Sequence, residues 1–145
     1  AQEYIDKYFE FYSNVKAYMQ GNVEAATSRG EVKTLLGRRR VINEARSGNR
    51  NVRMFGERAA MNMPLQGSSA DIIKLAMLGV YEKLKAGNYK AKLVLQVHDE
   101  LVIDCPKEEA EAVAELLKTE MENAVSLRVP LTVEVGIGEN WFETK

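Results

Sequence analysis

LVLQVHDELVIDC, residues 93–105, holds two apolar runs separated by a short polar stretch. The runs lie at 93–97 and 101–103 and are rich in Leu, Val and Ile, with Pro106 close behind the second. This pattern predicts two strands joined as a β-hairpin. The residues at the tip are His98, Asp99 and Glu100. Hairpin turns usually use Gly or Asn to reach positive φ, so a glycine-free acidic tip departs from turn chemistry and marks a candidate functional site.

Asp99 and Glu100 place two carboxylates side by side, and their charges repel each other unless water or a cation compensates them. Mg²⁺ prefers oxygen ligands and is typically held by one or two protein carboxylates, while water and substrate phosphates complete its octahedron. The sequence therefore predicts that Asp99 is a metal ligand. The tip alone leaves a second interpretation open, in which it is a solvated acidic turn and His98 has no role beyond the turn.

The composition is that of a globular protein, because 46% of the 145 residues are hydrophobic and 28% are charged, which suits one or two compact units. Cys105 is the only cysteine and His98 the only histidine. This excludes an internal disulfide and leaves a His/Cys zinc site too few ligands. No apolar run approaches the roughly 18 residues of a membrane span, and the N-terminus does not resemble a signal peptide. We therefore expect a reducing cytosol and no membrane partner.

The charge is unevenly distributed along the chain. Residues 29–58 contain nine basic and three acidic side chains, a local balance of +6, so the remainder carries −7 within a total of −1. Residues 31–43 predict a short hairpin with Gly37 at its turn and three consecutive arginines behind it. The next residues, through Arg53, show no hydrophobic period and are expected to be exposed and mobile. A polyanion partner such as nucleic acid and a solvated basic loop are the two interpretations.

Two helices are predicted before this basic segment. An aromatic stripe recurs every three or four residues in the first, and we expect it to be core, with stacking on bases as the alternative. Its members are Tyr4, Ile5, Tyr8, Phe9 and Tyr12. The second helix begins at Ser13 or Asn14 and closes at Gly30. Its predicted inner face consists of Val15, Met19, Val23 and Ala26.

A helical pattern resumes near Asn51, and Pro64 predicts a break or kink in it, with a new start at residues 67–69 that places Asp71 in a first turn. Three polar residues spaced by four form one row on this helix. They are Arg58, Asn62 and Gln66, whose side chains suit reading of groove acceptors but also capping and buried hydrogen bonding at a kink. Beyond the central hairpin, residues 107–124 predict an amphipathic helix with solvated acids, and residues 131–135 a strand that joins the hairpin.

Taken together, the sequence resembles the C-terminal part of the bacterial DNA polymerase I family, the family A DNA polymerases. Four motifs carry the resemblance in order: TLLGRRR at 34–40, ERAAMNMPLQGSSADIIKLAM at 57–77, VHDELVIDCP at 97–106 and GENWFETK at 138–145. The resemblance implies an α+β fold with a helical fingers portion, residues 1–55, and a palm portion, residues 56–145. In that palm, the metal-binding hairpin and a C-terminal strand form an antiparallel sheet packed on long helices.

By this resemblance, Asp99 holds both catalytic metals, two Mg²⁺ ions, Glu100 is its catalytic neighbour, and His98 faces the primer end. Arg58, Asn62 and Gln66 match the family's DNA minor-groove row. The implied reaction is attack of a primer 3′ hydroxyl on the α-phosphate of a deoxynucleoside triphosphate, in replication and repair in the bacterial cytoplasm. The implied partners are primer–template DNA and deoxynucleoside triphosphates.

No DYSQIELR-like first motif occurs in the sequence, and the family's nucleotide-binding fingers helix has no counterpart either. The resemblance therefore implies a polymerase fragment that is inactive alone and needs an N-terminal part as its partner. The segment VINEARSGNRN after Arg40 is less typical of the family. A non-catalytic nucleic-acid-binding module derived from the palm is the alternative function.

Overall fold

The computed structural model of the chain describes residues 2–144 and divides into two compact units, Ala1–Ser68 and Ser69–Lys145. The helices are α1 (Gln2–Phe11), α2 (Ser13–Ser28), α3 (Arg50–Ala86) and α4 (Ala110–Glu122), and the strands are β1 (Glu31–Lys33), β2 (Arg39–Val41), β3 (Lys92–Val97) and β4 (Glu100–Asp104). Both sheets are antiparallel pairs, β1 with β2 and β3 with β4. The mixed fold with small antiparallel sheets confirms the α+β prediction.

Within residues 2–144, none of the helices has the length and apolarity needed to cross a membrane.

The core of the first unit is built from small side chains of several elements. Its buried members are Ala25, Ala26, Val32, Ile42, Ala45, Ala60 and Met63. The β1–β2 hairpin is confirmed, and Gly37 adopts φ +88° at its turn. Ile42 and Ala45 are each only 1% exposed, so the expectation of an exposed segment after residue 43 is wrong for Ala45. A 3-10 turn at Asn43–Arg46 carries Ala45 into the core, and this single turn is too short to show a hydrophobic period.

Arg46 belongs to the basic segment, yet its guanidinium is engaged within the unit. Nε donates a 2.8 Å hydrogen bond to the carbonyl oxygen of Thr27, and Nη2 donates another to that of Ser28. These carbonyls belong to the last turn of α2, where helix geometry leaves acceptors without partners. Gly30 follows with φ +79°, so it closes α2 as predicted, and Arg46 completes the cap.

Helix α3 runs without a break through Pro64, so a break there and the predicted new start at residues 67–69 are wrong. Pro64 itself is buried, and Ala60 and Met63 in the same turn belong to the core. The hydroxyl of Ser68 donates to the carbonyl oxygen of Pro64 and accepts a 2.8 Å hydrogen bond from the backbone N–H of Leu35. Packing and these contacts thus outweigh the intrinsic penalty of about 3 kcal/mol for a helical proline.

The aromatic stripe of α1 is not core, contrary to the prediction. None of the residues of α1 is buried, and Tyr4 is 81% exposed. The rings of Tyr8 and Tyr12 instead contact each other, with centroids 4.9 Å apart. Helical spacing therefore identified the stripe but did not predict its exposure.

Gly56 lies where α3 passes too close to the 3-10 turn to leave room for a side chain. A Cβ at Gly56 would lie 2.3 Å from the backbone nitrogen of Ala45. We expect Gly56→Ala to lower the free energy of unfolding by about 1–3 kcal/mol, because backbone cannot yield as a flexible side chain can. Gly21 in α2 has nothing within 4 Å of the same position. Gly21→Ala should therefore raise it by about 0.5–1 kcal/mol, and chemical denaturation of both variants measures the contrast.

The second unit packs the end of α3, the β3–β4 hairpin and α4 around one core. The buried members are Ile73, Ala76, Val80, Leu84, Ala91, Leu101 and Val113. Helix α3 ends as predicted at residues 87–88, where Asn88 has φ +53°. The Tyr89 N–H bonds to the Leu84 carbonyl and the Asn88 N–H to the Lys85 carbonyl, which is the Schellman pattern with Asn in place of Gly. Asp71, predicted in a first turn, is a buried mid-helix residue.

Residues 131–135 do not form a strand in the described part of the chain, so the prediction that they join the hairpin as a third strand is wrong. Their side chains still alternate between half-buried and exposed positions, as the sequence pattern predicts. The N–H of Val133 donates instead to a carboxylate oxygen of Glu122, 3.0 Å away. A side chain of α4 thus replaces the ladder partner that a sheet would supply.

Glu109 ties the start of β3 to the start of α4 and so differs from the solvated acid that was expected. Its carboxylate accepts hydrogen bonds of 3.0–3.1 Å from the backbone N–H groups of Lys90 and Ala91. Hydrogen bonds to a charged group contribute about 1.5–3 kcal/mol. We therefore expect Glu109→Ala to lower the free energy of unfolding by about that amount. Glu108→Ala, at an exposed neighbour, is the control and should change it by less than about 0.5 kcal/mol.

Candidate active site

The tip of the β3–β4 hairpin is a two-residue turn. Val97 pairs with Glu100, so His98 and Asp99 are the two central residues. The predicted hairpin is therefore confirmed, with Glu100 as the first residue of β4 rather than part of the turn. All three polar residues of the tip, His98, Asp99 and Glu100, are exposed. The structure brings both carboxylates to one accessible end of the sheet.

A β-bulge in β3 determines which side chains share a face of the sheet near the tip. Leu93 pairs with Ile103 but Leu95 pairs with Val102, so β3 carries one additional residue between these pairs. Directly opposed residues share a face of the sheet. The shift lets Leu93 pack in the core while Val97, nearer the tip, shares the face of Glu100. Alternation in the sequence predicted the strands but not this bulge.

The turn depends on a residue that sequence reasoning missed. His98 has φ +52°, so it adopts the left-handed conformation without being glycine. Nε2 of Gln96 donates a 2.6 Å hydrogen bond to the carbonyl oxygen of His98. The sequence carried no signal for this contact, because the positive φ of His98 is seen only in the structure. Gln96 is thus part of the site's architecture.

The tip offers carboxylate oxygens and little else to a metal. Among residues 2–144, no group of three or more His, Cys, Asp and Glu side chains is placed to hold an ion. Cys105 adds no ligand to the tip, because it follows Asp104 at the opposite end of the hairpin. Burial, and then the charges of Glu109 and Asp104, raise the pKa of its thiol. Asp99 with Glu100 fits a Mg²⁺ ion that takes one or two protein carboxylates and completes its shell with water and phosphate.

The polar row lies on one face of α3 in the first unit. Arg58, Asn62 and Gln66 are spaced by four in an uninterrupted helix, and all three are exposed. Within the described chain none of them makes a hydrogen bond or ion pair, so the alternative of buried hydrogen bonding around a kink is wrong. The row is a free surface of donors and acceptors. Asn62 also borders an apolar cavity of about 520 Å³ together with Met19 and Met61.

The basic segment presents its charges unequally. Arg38, Arg39 and Arg40 are exposed at the end of the β1–β2 hairpin, with Arg39 Nη1 3.7 Å from a carboxylate oxygen of Glu31. Arg53 donates to the carbonyl oxygen of Ser47 and lies 3.9 Å from Glu57. The hairpin arginines are therefore one exposed part of the segment.

Comparison with known proteins identifies the same family along the whole chain. The family model described as DNA polymerase family A matches residues 1–143. The chain is 57% identical over all 145 residues to DNA polymerase I of Caldicellulosiruptor bescii. It is 50% identical to DNA polymerase I of Bacillus subtilis and 47% identical to the thermostable DNA polymerase I of Thermus aquaticus, each over the full chain. It spans only 16–17% of the length of these relatives.

A solved structure agrees with the sequence relatives. The chain is similar to the POL domain of Pol1 from M. smegmatis in complex with DNA primer-template and dNTP, with a TM-score of 0.92 and 41% identity. The match covers 97% of this chain and 25% of that one. The fold described above is thus shared with a region of a polymerase domain.

Proposed function

The chain belongs to DNA polymerase family A, and we propose that it supplies part of the active centre of a template-directed DNA polymerase. The single observation that carries this proposal is the exposed two-residue turn with Asp99, followed by Glu100 at the start of β4. Residues 1–55 would be the latter part of the fingers and residues 56–145 the latter part of the palm. The reaction would take place on primer–template DNA with deoxynucleoside triphosphates, in the bacterial cytoplasm.

Asp99 is the proposed ligand of catalytic Mg²⁺, and Glu100 is the acidic neighbour that adds negative charge beside it. When bound there, the metal supplies charge stabilisation to the α-phosphate and activates the 3′ hydroxyl. Asp99 has no hydrogen-bond or ion-pair partner within the described chain, which leaves both of its oxygens available. The Asp99 side chain is exposed at the turn, so a phosphate can reach it.

The first unit is the proposed DNA-binding part. Arg58, Asn62 and Gln66 expose donors suited to the minor groove, where all correct base pairs share acceptors. A polymerase can use such contacts to test the geometry of a pair without reading its sequence. Arg38, Arg39 and Arg40 offer positive charge to phosphates, and His98 would face the primer end.

The polar row can be tested separately from the metal site. We expect Arg58→Ala, Asn62→Ala and Gln66→Ala each to alter extension of mismatched primers more than overall DNA affinity. Their free energies of unfolding should change by less than about 0.5 kcal/mol, because the side chains are exposed and make no hydrogen bond or ion pair within the described chain. Gln20→Ala, an exposed helical glutamine outside the row, is the control. Loss of stability with unchanged mismatch extension would assign the row a structural role.

The proposal itself is tested in a chimera. These 145 residues replace the matching residues of DNA polymerase I from Caldicellulosiruptor bescii, with which they share 57% identity. We expect the purified chimera to extend a primer on a template with all four deoxynucleoside triphosphates and Mg²⁺. A chimera that melts cooperatively and binds primer–template but adds no nucleotide would contradict the proposal.

A further inference from the structure

The tip of the β3–β4 hairpin holds a backbone conformation that its side chain disfavours. His98 has φ +52°, whereas the φ of Asp99 is not positive. Positive φ at the first central position alone matches a type II′ turn, where glycine usually occupies that position. Some other contact must keep a histidine in this conformation.

The contact comes from Gln96. Its Nε2 donates to the carbonyl oxygen of His98 at 2.6 Å. That carbonyl belongs to the central peptide of the turn, which joins His98 to Asp99. Type I′ and type II′ turns differ mainly in the two dihedral angles that flank this peptide, ψ of the first central residue and φ of the second. A hydrogen bond to the carbonyl oxygen therefore selects one orientation of the peptide and one φ for Asp99.

We propose that Gln96 is a positioning residue for Asp99: its amide holds the His98 carbonyl and thereby fixes the direction of the Asp99 carboxylate. The inference rests on the proposed function of Asp99. Gln96 is opposite Leu101 in the register, two residues before His98, and its side chain is exposed. The hydrogen bond rather than packing therefore orients the amide. Gln96 acts through the turn, without touching the reacting atoms.

The test is a double-mutant cycle in the Caldicellulosiruptor bescii chimera. Gln96→Met keeps the length of the side chain and removes the donor. We expect kcat for single-nucleotide addition to fall about 10- to 100-fold, because a displacement of about 1 Å is enough for such a loss. The KM for the nucleotide should stay within about twofold, as for an interaction needed only in the transition state.

His98→Gly supplies the second arm, because glycine adopts positive φ without help. Whatever activity His98→Gly leaves, adding Gln96→Met to it should cost no more than about twofold, which is the non-additivity expected of coupled residues. Gln20→Met on α2 is the control and should leave kcat unchanged. An equal loss in both backgrounds would mean that Gln96 contacts DNA or nucleotide directly and would overturn the inference. An unchanged kcat for Gln96→Met with His98 still present would also overturn the inference.

The proposed function has its own readout in the same chimera. Asp99→Asn must lose nucleotide addition if Asp99 is a metal ligand. Retained activity there overturns the proposed function, whereas an additive Gln96 and His98 cycle beside an inactive Asp99→Asn overturns the positioning role alone.

Discussion

Asp99→Asn in the chimera is expected to abolish nucleotide addition and to leave primer–template binding almost unchanged. Asparagine keeps the size of the side chain but replaces a charged ligand by a neutral amide oxygen. A loss of about 4 kcal/mol in transition-state stabilisation corresponds to about a 10³-fold lower rate. DNA affinity comes mostly from phosphate contacts, which this change does not touch. Single-turnover primer extension and a binding titration measure the two quantities on one preparation.

Asp104→Asn is the matched control for this prediction. Asp104 is an exposed aspartate of the same hairpin and pairs with Lys92 at the end remote from the turn. Its replacement removes the same charge from the same sheet and should change the rate by less than about twofold, as for surface sites in general. Near-normal extension by Asp99→Asn would instead favour the non-catalytic nucleic-acid-binding module.

Sequence periodicity was sufficient for elements that depend on neighbours along the chain. The β-rich runs at 93–97 and 101–103 predicted the hairpin, and the pairing of Val97 with Glu100 confirms it. Gly37 and Gly30 adopt the positive φ values that their positions in a turn and a helix end predicted. Such features are encoded locally, because sterics limit which residues reach that region.

Features that depend on particular side-chain contacts were mispredicted. Pro64 reads as a helix break, yet α3 continues because its turn is packed and Ser68 bonds to the Pro64 carbonyl. The alternation at residues 131–135 reads as a paired strand, yet Glu122 takes the Val133 N–H. Both partners are near in the sequence, four residues from Pro64 and eleven from Val133, but hydrophobic periodicity carries no information on such hydrogen bonds.

The candidate site divides along the same line. The residue types at the tip suit a metal, because Mg²⁺ prefers carboxylate oxygens, but by themselves they left a solvated acidic turn open. Only the structure shows that those carboxylates are accessible. It also shows that Gln96 donates a hydrogen bond to the His98 carbonyl oxygen. The residue types at the tip indicate the chemistry, whereas the backbone conformation of the turn determines the direction of the side chains.

The 145-residue chain by itself is expected to add no nucleotides, even when folded. A two-metal centre holds ions about 3.5–4 Å apart between carboxylates that reach both. Asp99 and Glu100 are the carboxylates at this tip, and the described residues place no third ligand beside them. Mg²⁺, which needs six oxygens, would bind weakly to this pair without substrate phosphates. The exposed arginines of the β1–β2 hairpin should still give weak DNA binding that falls steeply with salt.

Complementation makes the expectation measurable. The Caldicellulosiruptor bescii polymerase lacking the matching 145 residues would be purified separately, and each piece assayed alone and after mixing. We expect extension only in the mixture, and an Asp99→Asn chain should fail to restore it although it competes with the unmodified chain for the same partner. Robust extension by the chain alone would place the reaction at residues other than Asp99. The competition readout distinguishes an inactive complex from a failure to associate, because only a variant that occupies the complex can inhibit the active mixture.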